Sequence, residues 1–341
     1  MTQPLVDIII LSMNRADDTI AAIASALEQD GVPTRVWVLD QGSDAENLTK
    51  LEQFCEGKRV HLEKGKVNLG VPGGRNKVTS LGSAPYIVAL DNDAIFADRL
   101  TVKRAADYLA AHPELGVIGF QILNFTTGEI DEYSWGYPKA LRPRWNEEFD
   151  TAKFIGAGHA IVREHFERVG AYDAELFFAF EELDFCYRLI NSGLRIRYVP
   201  SIKVLHKVSP ELRVSWTGGR YYFLVRNRLY IFGKFGASAP YIALFAAGYF
   251  IKGIKNGVAL QAVRAIRDAA GMLRRFRARS KDDPIYQLSP SAKAYIAHNE
   301  TRYRGSFWQR IQKELLAKLP SQNITPVATA DGKQRRRALK G

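Results

Sequence analysis

One pattern limits what this chain can fold into: short β-rich runs alternate with segments of helical spacing over roughly the first 125 residues. The runs are residues 6–11, 36–39 and 86–90, and the segments between them are 17–29, 44–54 and 74–81. Consecutive strands joined by helices are parallel, because only a crossover carries the chain back to the starting edge. The pattern therefore predicts an α/β protein with a mostly parallel central sheet flanked by helices. Such sheets bind ligands in the crevice beyond the carboxyl ends of their strands, so the residues just after each strand matter most.

Two further parts follow. Residues from about 126 to 215 read as strand-poor and rich in aromatics and glycine, with one helix at 181–192. From about 216 the chain is helical and basic, with helices expected at 221–235, 241–255 and 260–277. The segment 319–341 ends in the run from Lys333 to Arg337 and reads as a disordered tail.

Bulk properties narrow the class. Hydrophobic residues are 46% and charged residues 25% of the 341, enough to bury a sizeable core. Cys55 and Cys186 form no disulfide framework or cysteine metal site, which points to a reducing compartment. The first apolar run carries Asp7 and lacks a basic region before it, so it reads as a buried strand rather than a signal peptide. The longest apolar stretch, 239–251, is too short to cross a bilayer. The net charge of +12 favours anionic partners.

Five segments carry chemistry. Asp91-Asn92-Asp93 follows the third strand and offers hard oxygens for Mg²⁺ or Mn²⁺. Asp40 ends the second strand, where an acid can accept from a base N–H or a ribose hydroxyl. Between them, Asn68 to Asn76 reads NLGVPGGRN, in which glycines admit close backbone approach and Arg75 can pair with phosphate. Glu181 and Asp184 share a face of the helix at 181, with Glu182 turned elsewhere. His206 closes a β-like run. Taken singly, each also fits a plain turn, a strand end, a helix-dipole acid or a structural histidine. Their order along one chain is the stronger signal.

In that order the segments IIILSMNR, VLDQGSDA, NLGVPGGRN, ALDNDA, FIGAGHAIVREHFERVGAYD, FFAFEELDFCYR and IKVLHKVS resemble the inverting family 2 glycosyltransferases of GT-A fold. The branch most similar holds bacterial rhamnosyl- and galactofuranosyltransferases. The resemblance covers residues 5 to about 235 and implies a catalytic domain at 1–215, with a nucleotide-sugar half to about 125 and an acceptor half after it. It leaves 216–318 as a basic helical appendage. It implies a donor site of Ser12, Asn14, Arg15, Asp40, Asn68, Gly70, Arg75, Asn76, Asp91 and Asn92. Asp91, Asp93 and His206 would hold the metal, and Gly156, Ala157, Gly158 and Asp184 would line the acceptor side. The family's usual Glu-Asp-x-Asp is Glu-Glu-Leu-Asp here, so Glu182 takes the base position and Glu181 stays a rival.

The expected reaction moves a sugar from a UDP- or dTDP-linked donor to a hydroxyl of a glycan or lipid-linked acceptor, in cell-envelope polysaccharide synthesis. The expected place is cytoplasmic. Trp216, Tyr221, Tyr222, Phe223, Tyr230 and Phe232, interleaved with Arg220, Arg226, Arg228 and Lys234, suggest peripheral contact with anionic membrane, or else core beneath the appendage. Three rivals fare worse. A sugar nucleotidyltransferase needs a glycine-rich loop where this chain reads SMNRADD. A nucleic-acid binder would carry a recognised motif, and a catalytically dead scaffold would not keep every acid.

Overall fold

The computed structural model describes residues 5–207, 219–280, 282–316 and 319. Trp216 and the basic run from Lys333 to Arg337 lie outside them, as does the expected disorder of the tail.

The predicted alternation is present. Strands β1 (Val6–Ser12), β2 (Thr34–Gln41), β3 (Val60–Gly65) and β4 (Tyr86–Leu90) are joined by helices α1 (Ala16–Leu27), α2 (Ala45–Cys55) and α3 (Gly70–Thr79). They pair in parallel in the order β3-β2-β1-β4. Side chains alternate between two covered faces. Ile8, Ile10, Val36, Val38 and Val88 join one core, while Ile9, Trp37, Leu39, Ile87 and Ala89 join the other. That is why these strands read as unbroken apolar runs. Asp7, the acid within β1, is buried and held by Arg163 at 2.8 Å and the Trp37 indole at 2.7 Å.

β5 (Ala94–Phe96), α4 (Thr101–Ala111) and β6 (Leu115–Asn124) lead into the second part. That part is richer in strands than its sequence suggests. β7 (Phe149–Asp150), β8 (Gly158–Val162) and β9 (Arg195–His206) extend the sheet in the order β4-β8-β6-β9-β5, with α5 (Arg163–Arg168) and α6 (Glu181–Asn191) packed alongside. β8 runs antiparallel to both neighbours, and β6 and β9 are parallel. β9 hides in the sequence because charged residues alternate along it and Pro200 interrupts it. The ladder with β6 shifts register there, which tolerates a residue without an N–H.

Helices α7 (Tyr221–Lys234), α8 (Ala239–Lys255), α9 (Ala259–Ser280), α10 (Pro290–Asn299) and α11 (Phe307–Ile311) complete the chain. α7, α9 and α10 share cores with the sheet layer. Leu176 and Leu183 pack with Tyr230, Ile231, Met272, Leu273 and Phe276, and Ala292 and Ile296 join the core of Phe185 and Leu189.

This packing corrects the expected membrane face. Tyr221 and Tyr230 are fully buried, Phe223 stacks on Phe177, and Phe232 packs on Tyr241 and Phe245. Arg226 and Lys234 bind loop carbonyls and Asp173. Among the described residues, the interleaved aromatics from Tyr221 to Phe232 are core or pack against it, as the second expected reading had it. The exposed apolar row lies instead on α8, at Leu244, Phe250, Ile251 and Ile254. No helix of the described residues is long and apolar enough to cross a membrane.

Candidate active site

The carboxyl ends of β4 and β9 open on a cavity of about 430 Å³. Asp91, Glu181, Glu182, Arg75, Gly156, Ala157 and His206 line it. At its centre is Arg75, which projects from α3 and is 4% exposed. One Nη lies 3.0 Å from Asp91 Oδ1 and 2.9 Å from the Gly156 carbonyl oxygen, and the other lies 3.2 Å from Glu182 Oε1. Glu181 Oε1 is 4.0 Å from the same guanidinium. The surrounding carboxylates outweigh burial and raise the Arg75 guanidinium further above its ordinary range. One permanent cation therefore joins the strand-end acid to the helix-start acids.

Glu181 and Glu182 differ in environment. Glu181 is 3% exposed, its Oε2 has no hydrogen-bond partner, and burial together with the Glu182 charge pushes its carboxyl up to about 8. Glu182 is partly open to the cavity. A Cβ on Gly156 would lie 2.5 Å from Glu182 Oε1, so a larger residue there would displace the Glu182 carboxylate.

A second cluster lies beside the first. β5 pairs antiparallel with β9, placing Ala94 opposite His206 and so bringing Asp93 to the imidazole. His206 Nε2 lies 3.3 Å from Asp93 Oδ1, and its Nδ1 bonds Asp131 at 2.8 Å. Burial pulls this imidazole down, but the hydrogen bonds to Asp131 and Asp93 outweigh it and raise it to about 9. Asp93 also pairs with Arg15 at 2.8 Å. Burial raises this carboxyl, while His206 and Arg15 hold it below the ordinary range. Among the described residues no group of three or more His, Cys, Asp or Glu side chains is spaced to hold a metal by itself. The donor set still suits a hard divalent ion bound partly by phosphate oxygens. Asp131 turns the Nε2 of His206 toward Asp93, as carboxylates do behind metal-bound histidines.

Other expected residues have different roles. Asp40 is fully buried, with its carboxylate spent on the Gly42 and Ser43 amides and the Ser43 hydroxyl, so it presents no oxygen to a base. Asn76 exchanges two hydrogen bonds with the Tyr172 backbone and is not in the cavity lining. Asn68 accepts from the Gly70 amide, and Gly70, at φ 72°, packs against the Phe177 carbonyl. Ser12 bonds Thr19, Asn92 donates to the same hydroxyl, and Asn14 bonds the 43–44 turn. Gly158 lies inside the sheet against Phe120 and Val204. Asp184 is fully buried, between Arg188 at 2.8 Å and Lys234 at 2.7 Å, and does not line the cavity. Asp184 reaches α7 while Glu181, three residues earlier, faces Arg75 and the cavity, a divergence that sequence spacing alone does not reveal. Asp131 went unnoticed because it sits in an irregular segment with no periodic signal. So did Asn227, whose amide bonds the carbonyls of Leu176, Phe178 and Ala179.

This arrangement can be set beside known proteins. Residues 7–170 match the model of glycosyl transferase family 2. Over that segment, just under half of its length, the chain is similar to the family 2 glycosyltransferases. An uncharacterized protein of Haemophilus influenzae is 25% identical over 178 residues, covering 49% of this chain and 92% of its own length. The dTDP-rhamnosyl transferase RfbF of Shigella flexneri is 33% identical over 63 residues, 18% of this chain and 21% of its own. A mannosyltransferase of Pyrobaculum calidifontis, solved with GDP-Man and Mn²⁺, superposes with a TM-score of 0.53 at 19% identity, over 93% of this chain and 86% of its own. GalNAc-T7, solved with UDP, GalNAc and Mn²⁺, gives 0.50 at 15% identity, over 67% and 51%. The fold of this glycosyltransferase is GT-A.

Proposed function

We propose that this glycosyltransferase moves a sugar from a UDP- or dTDP-linked donor to a hydroxyl of a glycan or lipid-linked acceptor, with inversion, in the making of a cell-envelope polysaccharide. One observation carries the reading: buried Arg75 touches both Asp91, at the end of β4, and Glu182, at the start of α6, within one cavity. A donor diphosphate at the strand ends and an acceptor hydroxyl beside Glu182 then meet across a single guanidinium.

Glu182 takes the hydroxyl proton as the acceptor oxygen attacks the anomeric carbon and the bond to the diphosphate breaks. A single displacement inverts that carbon. Arg75 stabilises the charge that builds on the departing diphosphate. Gly156 and Ala157 form the wall along which the acceptor approaches. Asp93 and His206, with Asp91 beside them, would hold Mn²⁺ or Mg²⁺, which when bound neutralises diphosphate charge. Ser12 to Arg15 and the turn held by Asp40 form the floor beneath the base. The relative named for dTDP-rhamnosyl transfer supports a deoxythymidine donor.

Peripheral attachment to the cytoplasmic face of an anionic plasma membrane belongs to the same reading. It rests on the exposed α8 row and on charge: 24 Lys and Arg against 6 Asp and Glu from Arg220 onward, and 24 against 30 before it.

Thermal denaturation with UDP, dTDP and GDP, each with and without Mn²⁺, tests the donor site. A bound nucleotide raises the melting temperature, by mass action on the folded state. At least one should do so, more strongly with Mn²⁺, and Asp93→Ala should remove the Mn²⁺ increment. No shift with any nucleoside diphosphate would sink the reading.

A further inference from the structure

The cavity that holds Glu182 carries two charged groups. In the first, Asp91, Glu181 and Glu182 surround Arg75. Lys153, Arg228 and Arg304 form a second charged group in the lining, paired with Glu300 and Glu314 rather than with those acids, and drawn from the segment before β8, from α7 and from the turn after α10. No sequence pattern links the three; only the packing of the C-terminal helices on the sheet layer brings them together.

Two of these cations, Lys153 and Arg304, are short of counter-charge. Lys153 Nζ lies 3.6 Å from Glu300 Oε1, and Arg304 pairs with the same oxygen. Arg228 lies 3.1 Å from Glu314. Three cations thus share two carboxylates, and Glu300, 2% exposed, serves two of them. The Lys153 and Arg304 side chains keep 24% and 30% of their surface open. Burial lowers the Lys153 amine, and Arg304 and Arg228 lower it further against the pull of Glu300. A partly buried cation with half a partner is costly, and a ligand anion relieves that cost. The wall is also aromatic, with Phe154, Phe178 and Phe180.

We propose that the acceptor carries an anionic group, a phosphate ester or a carboxylate, which docks on Lys153, Arg228 and Arg304 while its hydroxyl lies at Glu182. The inference rests on the glycosyl-transfer reading and names the acceptor's chemical class. The charged group fixes the acceptor's register in the cavity. A neutral sugar of the same shape would leave the cations unmatched, and discrimination follows from that penalty.

The test uses the full chain, first saturated with Mn²⁺ and the nucleoside diphosphate that stabilises it most, so that the donor site is filled. Geranyl diphosphate, methyl glucuronide and neutral methyl glucoside are then titrated by calorimetry. At least one anionic probe should bind, and methyl glucoside should bind at least about tenfold more weakly. The preferred anion separates a phosphate from a carboxylate source. Binding of the anionic probe should weaken as NaCl rises. Lys153→Met, which keeps the side chain's length, should weaken that probe about tenfold and leave nucleotide affinity unchanged, and Lys153→Arg should restore it. Anionic probes that bind no tighter than methyl glucoside would overturn the proposal. So would unaltered anion binding in a folded, nucleotide-binding Lys153→Met variant. An unmodified chain that binds no nucleoside diphosphate would strike the transfer reading itself, and this proposal with it.

Discussion

Adjacent glutamates at the start of α6 are given opposite characters by their surroundings. Glu182 reaches the cavity and Arg75, while Glu181 is enclosed with one oxygen unpaired. Glu182→Gln keeps shape and removes the base. Turnover should fall on the order of 10²- to 10⁴-fold with nucleotide affinity intact, and steady-state kinetics beside calorimetry would show it. Glu181 makes a pH prediction. Its carboxyl is raised from 4.5 to about 8 by burial and by Glu182, so the folded state binds its proton more tightly than the unfolded state does. The stability this group contributes is complete below about pH 4.5 and is lost as pH rises through about 8. Glu181→Gln should therefore flatten the fall in stability across that window, as read by urea denaturation at graded pH. An unchanged slope would contradict the assignment. At this scale Asp91, Asp93, Arg75 and Glu182 were legible, because each ends a strand or opens a helix that the hydrophobic pattern marks. Asp131 and Lys153 were not, since they sit in irregular segments where nothing periodic points to them.

Between α5 and α6 the chain takes an unusual path. Phe177, Ala179 and Phe180 have φ of 58°, 66° and 73°, a region costing non-glycine residues roughly 1–3 kcal/mol each. The loop holds because two elements clamp it. The Val71 amide at the start of α3 donates to the Phe177 carbonyl at 2.8 Å. On α7, fully buried Asn227 donates to three loop carbonyls at 2.8–3.0 Å, and Arg226 adds two more bonds. This clamp sets the start of α6, and so the aim of Glu182. Asn227→Ala leaves those carbonyls short of donors and should cost about 1–3 kcal/mol of stability. It should also lower kcat while the nucleotide Kd stays the same; an unchanged kcat in the folded variant would count against the clamp. Sequence spacing located α6 and α7 within a residue or so, yet said nothing of the contact between them.

Helices α7, α9 and α10 are tied to the sheet layer by shared cores and by the Lys234 amine, buried between Asp173 and Asp184. A chain ending at Lys207 would expose Leu183 and leave Asp184 without one of its two cations. It should lose cooperative unfolding in calorimetry, whereas a sharp transition would show the sheet layer to be self-sufficient. The helical layer also turns an apolar row outward, on α8. Ile251→Glu with Ile254→Glu should abolish flotation with anionic liposomes and leave nucleotide binding untouched. Equal flotation of both forms would remove the membrane from the account.

The sequence alone determined the layered α/β architecture, because apolar runs and helical spacing are local and repeat. It also placed acids at strand ends, where such sheets bind ligands, and one arginine in the glycine-rich segment between them. Tertiary structure alone decided which carboxylates share Arg75, that Asp184 serves α7 rather than an acceptor, that Asn76 and Gly70 support the fold, and that Lys153, Arg228 and Arg304 converge. The physical reason is range. Hydrophobic periodicity is written within a few residues, whereas the charge pairing and loop clamping that build the site join positions from 16 to more than 100 residues apart.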